Sequence, residues 1–569
     1  MQIYSFNANP GSEIKGMRQA GANTAPGCLR AIAYGSSSFE LCRYLLQRRY
    51  GAVGAPVGGM RQHCTWSPVC PRTIRRVILL ACATRADAMV FHSSAVADQW
   101  DTWAFVENGT FYAFYLVLQE GTWFADSFGV ASSADGTHFK DHGVVFTGRC
   151  MVPPCGTRPW TGGFWMGSGS VWRAADGRYV VNWSQERGGT ENISFAVSSD
   201  LIRWQGVDEV YSPNPKYYET HASNGIRWDG IYTIPATPSP SLHDGYPRLG
   251  YWTATPLGCG PTGLCNHTMG FGVTHDGLSW NAWPSPAMQP PVVHWSEVGA
   301  VEYVPVTNDS SGGRYFALLG GNPSNQVAEM IVYVAERPQG PFIAARKNRV
   351  LLPAARSCYF TRFFRGPGMA LLVTHQSFSH VGRTYIAPFK AAHVDAEGTM
   401  RLAWWEGNQN LKAVPELPAT ITPAGWFMPP VDVAVGAIFE ASFALPPHGA
   451  PLLLWPGFLL EQEGGAATLV ALDSSARCVV ANVSSAGAPT RPAIEHTWDR
   501  ELSGLGAAVA VRLLFRREML ELYVDDFLLP VFLMPRSTGR VRLANHAAMA
   551  ESGRSLIVDV RRWAMSLSS

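Results

Sequence analysis

A repeated segment constrains the fold of this 569-residue chain more than any other sequence feature. Each copy is an alternating apolar strand that runs into Ser or Thr, then an acid, then an aromatic residue. Three clear copies lie at 128–139, 193–204 and 271–280, and a degenerate fourth lies at 331–342. The spacing of about 60 to 76 residues is longer than that of common solenoid repeats and fits a four-stranded propeller blade with inserted loops.

Hairpins beside the repeats complete the predicted units. One turn is predicted at 175–178, a second at Trp228-Asp229-Gly230 and a third at 309–313. A further hairpin at 359–374 supplies a fifth unit. The sequence therefore predicts an all-β fold in which residues 89–425 form a five-bladed β-propeller.

The character of the sequence changes after a proline-containing stretch at 408–424. Alternating strands without the repeat follow at 438–445 and 509–515, and a charged turn leads into another strand at 519–524. These features predict a C-terminal β-sandwich over 430–569, packed against one side of the propeller.

Residues 1–88 are predicted to be an N-terminal extension outside the propeller. Beyond Met60, a basic stretch at 72–76 precedes a short apolar run at 77–83 and a small-residue Ala-Asp-Ala site. This order resembles a secretory signal peptide and predicts translation from Met60, with export to the extracellular space or a vacuolar lumen. A buried strand at 77–83 is the alternative interpretation.

Composition argues against several classes of partner. The 45 Lys and Arg against 43 Asp and Glu leave a formal charge of +2, so no basic field for nucleic acid is expected. No apolar run approaches the roughly 18 residues that span a membrane. The chain shows no nucleotide-binding Gly-rich loop, no zinc-spaced cluster and no serine nucleophile elbow, and the adjacent Asp525 and Asp526 are typical of a solvated turn. We therefore predict no cofactor and no metal.

Cysteines and glycosylation sequences favour an oxidising compartment. Cys150 with Cys155 and Cys259 with Cys265 form two close pairs that are predicted to close loops, although buried unpaired cysteines would give the same pattern. Asn-x-Ser/Thr sequences add support for a secreted glycoprotein. They begin at Asn108, Asn182, Asn192, Asn266, Asn308 and Asn482.

Asp101 is the first candidate for chemistry. It lies between Trp100 and Trp103, ahead of a predicted hairpin with an Asn-Gly turn at 108–109. Because Asp is depleted from strand interiors, Asp101 is expected where the strand opens onto a cavity. A turn aspartate that binds nearby backbone amides is the alternative.

Glu297 is the second candidate, at the matching position on the fourth predicted blade. Since the innermost strands of a propeller surround one axis, we expect the carboxylates of Asp101 and Glu297 to face each other. A retaining glycosidase uses such a pair, one as nucleophile and one as acid and then base. A surface acid at a strand end is the alternative for Glu297.

These motifs resemble glycoside hydrolase family 32, the β-fructofuranosidases and their fructosyltransferase relatives. The segment 99–103 resembles the family's nucleophile motif Trp-Met-Asn-Asp-Pro-Asn-Gly, with Asp101 at the nucleophile position. Residues 166–171 resemble its Phe-Ser-Gly-Ser-Ala-Val stretch, and 294–297 its Trp-Glu-Cys-Pro motif, with Glu297 as acid/base. The resemblance implies a propeller, a sandwich and an oligosaccharide or polysaccharide substrate.

The sequence departs from the family at its middle Arg-Asp-Pro, whose aspartate binds sugar hydroxyls. The segment 218–226 contains no such motif, and Glu219 or His221 is predicted to stand in. Trp100, Trp103 or Trp295 is predicted to stack on the sugar. The family 43 enzymes, which share the propeller but invert configuration at arabinose and xylose units, are the alternative at the level of substrate.

Three functions are consistent with these features. The leading one is a retaining hydrolase of β-fructofuranosides or related furanosides. The missing middle aspartate suggests, alternatively, a carbohydrate-binding protein without turnover. A transferase that passes the sugar to another sugar would carry the same residues. The sequence makes no prediction of the oligomeric state.

Overall fold

The computed structural model describes most of the chain beyond residue 89. Residues Thr84–Ser569 form one compact unit. The predicted extension with its signal-like segment lies outside the described residues. The described ranges are 90–118, 125–148, 166–187, 190–220, 227–236, 245–259, 269–291, 296–306, 312–321, 329–351, 358–379, 383–395, 398–417, 429–446, 455–463, 465–472, 477–484, 494–497, 508–534, 539–546 and 557–566.

These residues form β-strands almost throughout, as the alternating sequence predicts. Two short 3₁₀ helices, Pro367–Met369 and Glu406–Leu411, interrupt them. Among the described residues, no helix has the length and apolar character needed to cross a membrane.

The first three sheets are antiparallel and have four strands each. The first contains β1 (Asp98–Glu107), β2 (Thr110–Leu118), β3 (Ala125–Ser133) and β4 (Lys140–Thr147). The second contains β5 (Val171–Arg173), β6 (Tyr179–Arg187), β7 (Thr190–Ser198) and β8 (Gln205–Tyr211). The third contains β9 (Trp228–Pro235), β10 (Arg248–Ala254), β11 (Met269–Thr274) and β12 (Trp280–Trp283).

The fourth sheet has five strands, and the fifth continues into the C-terminal strands. The fourth has the order β13-β17-β16-β15-β14, from β13 (Met288–Gln289), β14 (Ser296–Val304), β15 (Arg314–Gly321), β16 (Glu329–Ala335) and β17 (Phe342–Leu351). The fifth begins with β18 (Cys358–Arg365), β19 (Leu371–Phe378), β20 (Thr384–Ile386), β21 (Lys390–Val394) and β22 (Met400–Trp404).

The C-terminal strands form two layers around a separate apolar core. They are β23 (Val431–Asp432), β24 (Ala437–Ala444), β25 (Gly457–Gln462), β26 (Ala466–Leu472), β27 (Arg477–Ser484), β28 (Ile494–Thr497), β29 (Ala508–Arg516), β30 (Met519–Val524), β31 (Phe527–Leu533), β32 (Arg540–His546) and β33 (Ile557–Ala564). One layer has the order β23-β32-β25-β26-β27-β28, and the other, β31-β30-β29-β24-β33, continues the fifth sheet by pairing β31 with β22.

The repeated acid closes the same turn in each of the first three sheets. In the first, Oδ1 of Asp135 accepts hydrogen bonds from the backbone amides of Thr137 and His138 at 2.8 and 2.9 Å. Asp200 and Asp276 bind the amides two and three positions later in the same way. The preceding Ser or Thr hydroxyl donates to each carboxylate. The repeat thus encodes the turn before the last strand of each sheet.

One predicted turn is wrong. Trp228-Asp229-Gly230 begins strand β9 and does not form a hairpin turn. The turns at Asn108-Gly109 and at 175–178, and the hairpin at 359–374, are confirmed.

The edge strands β1, β9, β14 and β18 lie close to one another. β1 contacts β5 and β18, whereas β14 contacts β9 and β18, and β9 also contacts β6. One end strand from each of the first, third, fourth and fifth sheets therefore lies in this group of neighbouring strands.

A buried ion pair fastens the fifth sheet to the C-terminal layers. Nζ of Lys390 donates to Glu521 at 2.7 Å, and the hydroxyl of Tyr523 donates to the same carboxylate at 2.6 Å. Both charged side chains are fully buried. A buried pair with satisfied hydrogen bonds fixes the relative position of the two sheets, because losing either partner would leave an unpaired charge.

The structure bears on two covalent modifications that the sequence predicts, a glycan on Asn182 and disulfides between close cysteine pairs. Asn182 is fully buried and donates to the carbonyl oxygens of Ser170 and Ile231, so it cannot carry a glycan in the folded chain. Cys259 is disulfide-bonded, and its predicted partner Cys265 lies outside the described residues, as does the pair Cys150 and Cys155.

Candidate active site

A polar cleft lies where the edge strands meet, and the first, third, fourth and fifth sheets and the segment before β5 contribute to it. Counting the open space at its mouth, the cleft measures about 230 Å³. Three carboxylates and a guanidinium lie in its wall. The lining residues are Asp101, Ser168, Asp229, Gly230, Thr253, Glu297, Val298, Phe360 and Arg362.

Backbone irregularities aim these side chains into the cleft. The pairing register shifts at Asp101 in β1, between Val298 and Ala300 in β14, and after Tyr359 in β18. A β-bulge turns a strand locally and redirects one side chain. Asp101 has φ 31° and Phe360 has φ 56°, so both residues adopt backbone conformations that are rare for L-residues.

Gly230 forms the corresponding irregularity in β9, next to Asp229. Its φ is 48°, and a Cβ atom there would lie 2.6 Å from the carbonyl oxygen of Ser168. Only glycine fits both the conformation and this approach. The close contact brings β9 against the segment before β5 and places Asp229 at the cleft.

Asp101 lies among polar neighbours from other sheets. The hydroxyl of Ser168 lowers the pKa of its carboxyl group, and Nε2 of Gln376, on β19, lies 3.4 Å from its Oδ1. Gln376 is fully buried. These contacts fix the carboxylate of Asp101 toward the cleft.

The pKa of Asp101 is raised to about 6. Burial is the largest cause because it removes water from the charged form, and the negative charge of Glu297 raises the pKa further. The Arg362 guanidinium and the hydrogen bond from Ser168 act in the opposite direction. The carboxylate is therefore mainly ionised above a pH of about 6.

Arg227 connects the other two acids. Its Nη2 donates to Asp229 and, at 3.1 Å, to Oε1 of Glu297. Asp229 also accepts a hydrogen bond from the hydroxyl of Ser184. The guanidinium thus neutralises two carboxylates that come from different sheets and holds them at a fixed separation.

Glu297 has a second fixed contact. The hydroxyl of Tyr359 donates to its Oε2 at 3.1 Å, so each carboxylate oxygen has one donor. The Glu297 side chain is 15% exposed and reaches solvent through the cleft. Asp101, Asp229 and Glu297 together give the cleft three positioned carboxylates, a set suited to acid–base and nucleophilic chemistry.

The other residues predicted for substrate contact lie elsewhere or outside the described residues. Trp103 is 2% exposed and stacks on Phe114 in the core of the first two sheets, which is incompatible with stacking on a ligand. Trp100 does not line the cleft and stacks on Phe378 at 5.3 Å. His221 and Trp295 lie outside the described residues.

The middle acid is expected at Glu219 or His221, of which only Glu219 is among the described residues. Glu219 does not line the cleft and accepts a hydrogen bond from the amide of Gly258 at 2.8 Å. Asp229 lies there instead, with Arg227 two positions before it. Asp-Gly is typical of a turn, so Asp229 was not predicted as a site residue. The arginine two positions before it was the signal that could have identified it. Arg362 was also missed, because no sequence rule distinguishes it from a surface arginine on a strand.

Comparisons with known proteins agree with this architecture. No protein-family profile and no curated protein sequence matches the chain. Among solved structures, an exo-inulinase from Aspergillus awamori matches with a TM-score of 0.60 at 12% identity, over 86% of this chain and 99% of that one. A family 32 β-fructofuranosidase from Bombyx mori matches with a TM-score of 0.59 at 13% identity, over 87% and 98%.

This chain has the fold of glycoside hydrolase family 32 enzymes. A fructan 1-exohydrolase from Cichorium intybus, solved with 1-kestose, agrees with a TM-score of 0.58 at 10% identity, over 84% and 97%. The resemblance predicted from the short motifs is thereby confirmed at the level of fold.

Proposed function

We propose that this protein is a glycoside hydrolase that cleaves β-fructofuranosides or a related furanoside with retention of configuration. The observation that carries the proposal is the convergence of Asp101, Asp229 and Glu297, from three separate sheets, on one cleft. The fold shared with family 32 enzymes supports the same chemistry.

Each acid has a role that its surroundings favour. Asp101 attacks the anomeric carbon, since its pKa of about 6 leaves it ionised near neutral pH. Glu297 protonates the leaving oxygen and then activates the water that releases the sugar. Asp229 accepts hydrogen bonds from the hydroxyls of the bound ring and takes the role that the sequence had suggested for Glu219 or His221.

We propose that the substrate is an oligosaccharide or polysaccharide. No cofactor is needed, because the carboxylate of Asp101 itself carries the covalent intermediate.

Three alternative functions differ from this proposal in turnover, in stereochemistry or in the acceptor of the sugar. A carbohydrate-binding protein without turnover is suggested by the missing Arg-Asp-Pro, whereas Asp229 in the cleft favours turnover. A family 43-like enzyme would invert configuration at arabinose or xylose units. Transfer to a second sugar uses the same first step as hydrolysis and differs only in the acceptor.

Incubation with sucrose, inulin, levan and aryl furanosides separates these functions. We expect free fructose or another furanose from the wild type and none from Asp101→Asn. Binding of these sugars without release by the wild type would favour the non-catalytic protein. An inverted first product, followed by NMR, would favour the family 43 chemistry.

We also propose the finer architecture. The five sheets are blades of a β-propeller over 89–425 whose inner edges surround the cleft, and 430–569 is a β-sandwich. The contacts among β1, β9, β14 and β18 support this arrangement. A truncation after residue 425 tests the boundary, and we expect poor folding because Lys390 would lose Glu521.

We further propose that the protein is secreted, with the segment 72–88 as its signal peptide. The disulfide at Cys259 supports an oxidising compartment. N-terminal sequencing of exported material tests this: a mature chain that begins near residue 89 is expected, and one that begins before residue 60 would contradict it.

A further inference from the structure

Arg362 is a buried cation whose direct hydrogen-bond partners are neutral. It is 3% exposed on β18, and its Nη1 donates to the carbonyl oxygen of Gly169 at 2.6 Å. Its Nη2 donates to the hydroxyl of Ser168 at 2.7 Å. Among the described residues, its Nε has no hydrogen-bond partner. Burying a guanidinium without a contacting carboxylate is costly, so its charge must be compensated at longer range.

The compensating charges are the acids of the cleft. Burial lowers the pKa of Arg362, while the charges of Asp101, Asp229 and Glu297 oppose that shift. An arginine side chain stays protonated under such conditions. Tyr232 also faces the guanidinium from β9, and the ring of Phe360 lies 4.6 Å from it.

Ser168 connects this cation to Asp101. A hydroxyl has one hydrogen, and the oxygen of Ser168 already accepts a hydrogen bond from Arg362. Its hydrogen is therefore available for the carboxylate of Asp101, which lines the same cleft and whose pKa Ser168 lowers. The contact with Arg362 orients the hydroxyl as a donor, and a donor stabilises the ionised form of a carboxyl group.

The groups around Asp101 otherwise favour its protonated form or are neutral. Glu297 faces it from β14, Tyr359 from β18 and Gln376 from β19. Arg227 already pairs with Asp229 and Glu297. Arg362 is thus the cation whose position suits it to offset the burial of Asp101.

We propose that Arg362 is a positioning residue that keeps Asp101 ionised, directly by its charge and indirectly through the hydroxyl of Ser168. The proposal rests on the role proposed for Asp101 in catalysis. The electrostatic part is independent of turnover, because it concerns the proton equilibrium of Asp101 in the folded protein.

The first test measures that equilibrium without substrate. The stability difference between Asp101 and Asp101→Asn proteins is followed by thermal unfolding from pH 4 to 8, in the wild-type and Arg362→Met backgrounds. The difference grows from about pH 4 and levels off near the pKa of Asp101 in the folded chain. We expect this pKa near 6 in the wild-type background and about one pH unit or more higher in Arg362→Met.

The second test measures catalysis. The acid limb of kcat/KM against pH is expected to move upward in Arg362→Met, by a smaller amount in Ser168→Ala, and to recover in part in Arg362→Lys. Arg248→Met is the matched control, because Arg248 donates to the hydroxyl of Thr233 and to a carbonyl oxygen. We expect no movement of the acid limb in that variant.

The outcomes separate the two proposals. A folded Arg362→Met protein with an unchanged Asp101 equilibrium would overturn the role of Arg362, and if that variant does not fold, an unchanged equilibrium in Ser168→Ala would do so. A wild type that hydrolyses no furanoside would overturn the proposed function alone, since the unfolding measurement would still report on Asp101.

Discussion

Arg227 and Glu297 are 70 positions apart in the chain, yet Nη2 of Arg227 donates to Oε1 of Glu297 at 3.1 Å. The same nitrogen also donates to Asp229. One guanidinium therefore sets the separation of two of the three acids. A planar fork with several donors can do this, whereas the point charge of a lysine cannot bind both carboxylates with the same geometry.

Arg227→Lys should lower kcat/KM by about tenfold to hundredfold, because the positive charge remains while the fixed separation of Asp229 and Glu297 is lost. Steady-state kinetics on the best furanoside checks this. Arg178→Lys is the control, since Arg178 pairs with Asp176 in an exposed turn. Equal losses in both variants would argue against a special role for Arg227.

The acid limb of kcat/KM should lie near pH 6. Asp101 must be ionised to act as a nucleophile, and its pKa is raised to about 6 by burial and by Glu297. Activity is therefore expected to fall about tenfold for each pH unit below that value. An acid limb near pH 4 would show that Asp101 titrates as an exposed carboxyl group does.

Asp101→Asn should stabilise the fold at neutral pH. The pKa of Asp101 is higher in the folded chain than its usual 3.8, so the folded state binds the proton more tightly and loses stability as the pH rises from about 4 to 6. Removing the charge should restore up to about 3 kcal/mol at pH 7 and nothing at pH 4. Denaturant unfolding at both pH values measures this.

Asp176 is the control for that measurement, because its pKa is shifted in the opposite direction. The pKa of Asp176 is lowered by hydrogen bonds from the backbone and side chain of Arg178. Its ionised form is therefore favoured in the folded state, and Asp176→Asn should not stabilise the chain at pH 7. Equal stabilisation by both variants would point to net charge as the cause.

Gly230→Ala should displace Asp229 and reduce kcat/KM sharply. The methyl group would lie 2.6 Å from the carbonyl oxygen of Ser168, in addition to the strain of about 1–2 kcal/mol for an L-residue at φ 48°. Gly177→Ala is the matched control, because Gly177 has φ 87° with no atom within 4 Å of the added carbon. We expect the control to lose stability and to keep its activity.

The sequence predicted those features that short-range chemistry determines. The repeated Ser/Thr and Asp gave the turns of the first three sheets, because hydroxyl and carboxylate groups bind amides only two or three positions away. Asp101 and Glu297 were found because each stands at the start of an apolar strand. The structure brings both to the same cleft.

Long-range contacts decided the features that the sequence did not predict. Asp-Gly after Trp228 is normally a turn signal, but the approach of Ser168 makes Gly230 a bulge and places Asp229 in the cleft. Trp103 was predicted to stack on the sugar, yet Phe114 and Phe128 cover its ring. The place of Arg362 depends on Gly169 and Ser168, nearly two hundred positions earlier.

Trapping the sugar on the protein tests the central claim most directly. A Glu297→Gln variant is incubated with an aryl furanoside whose leaving group needs no protonation, and its peptides are mapped by mass spectrometry. The account predicts a furanosyl ester on Asp101, because the attack can proceed while its hydrolysis lacks a base. A covalent sugar on another residue, or release of an inverted product without any adduct, would contradict it.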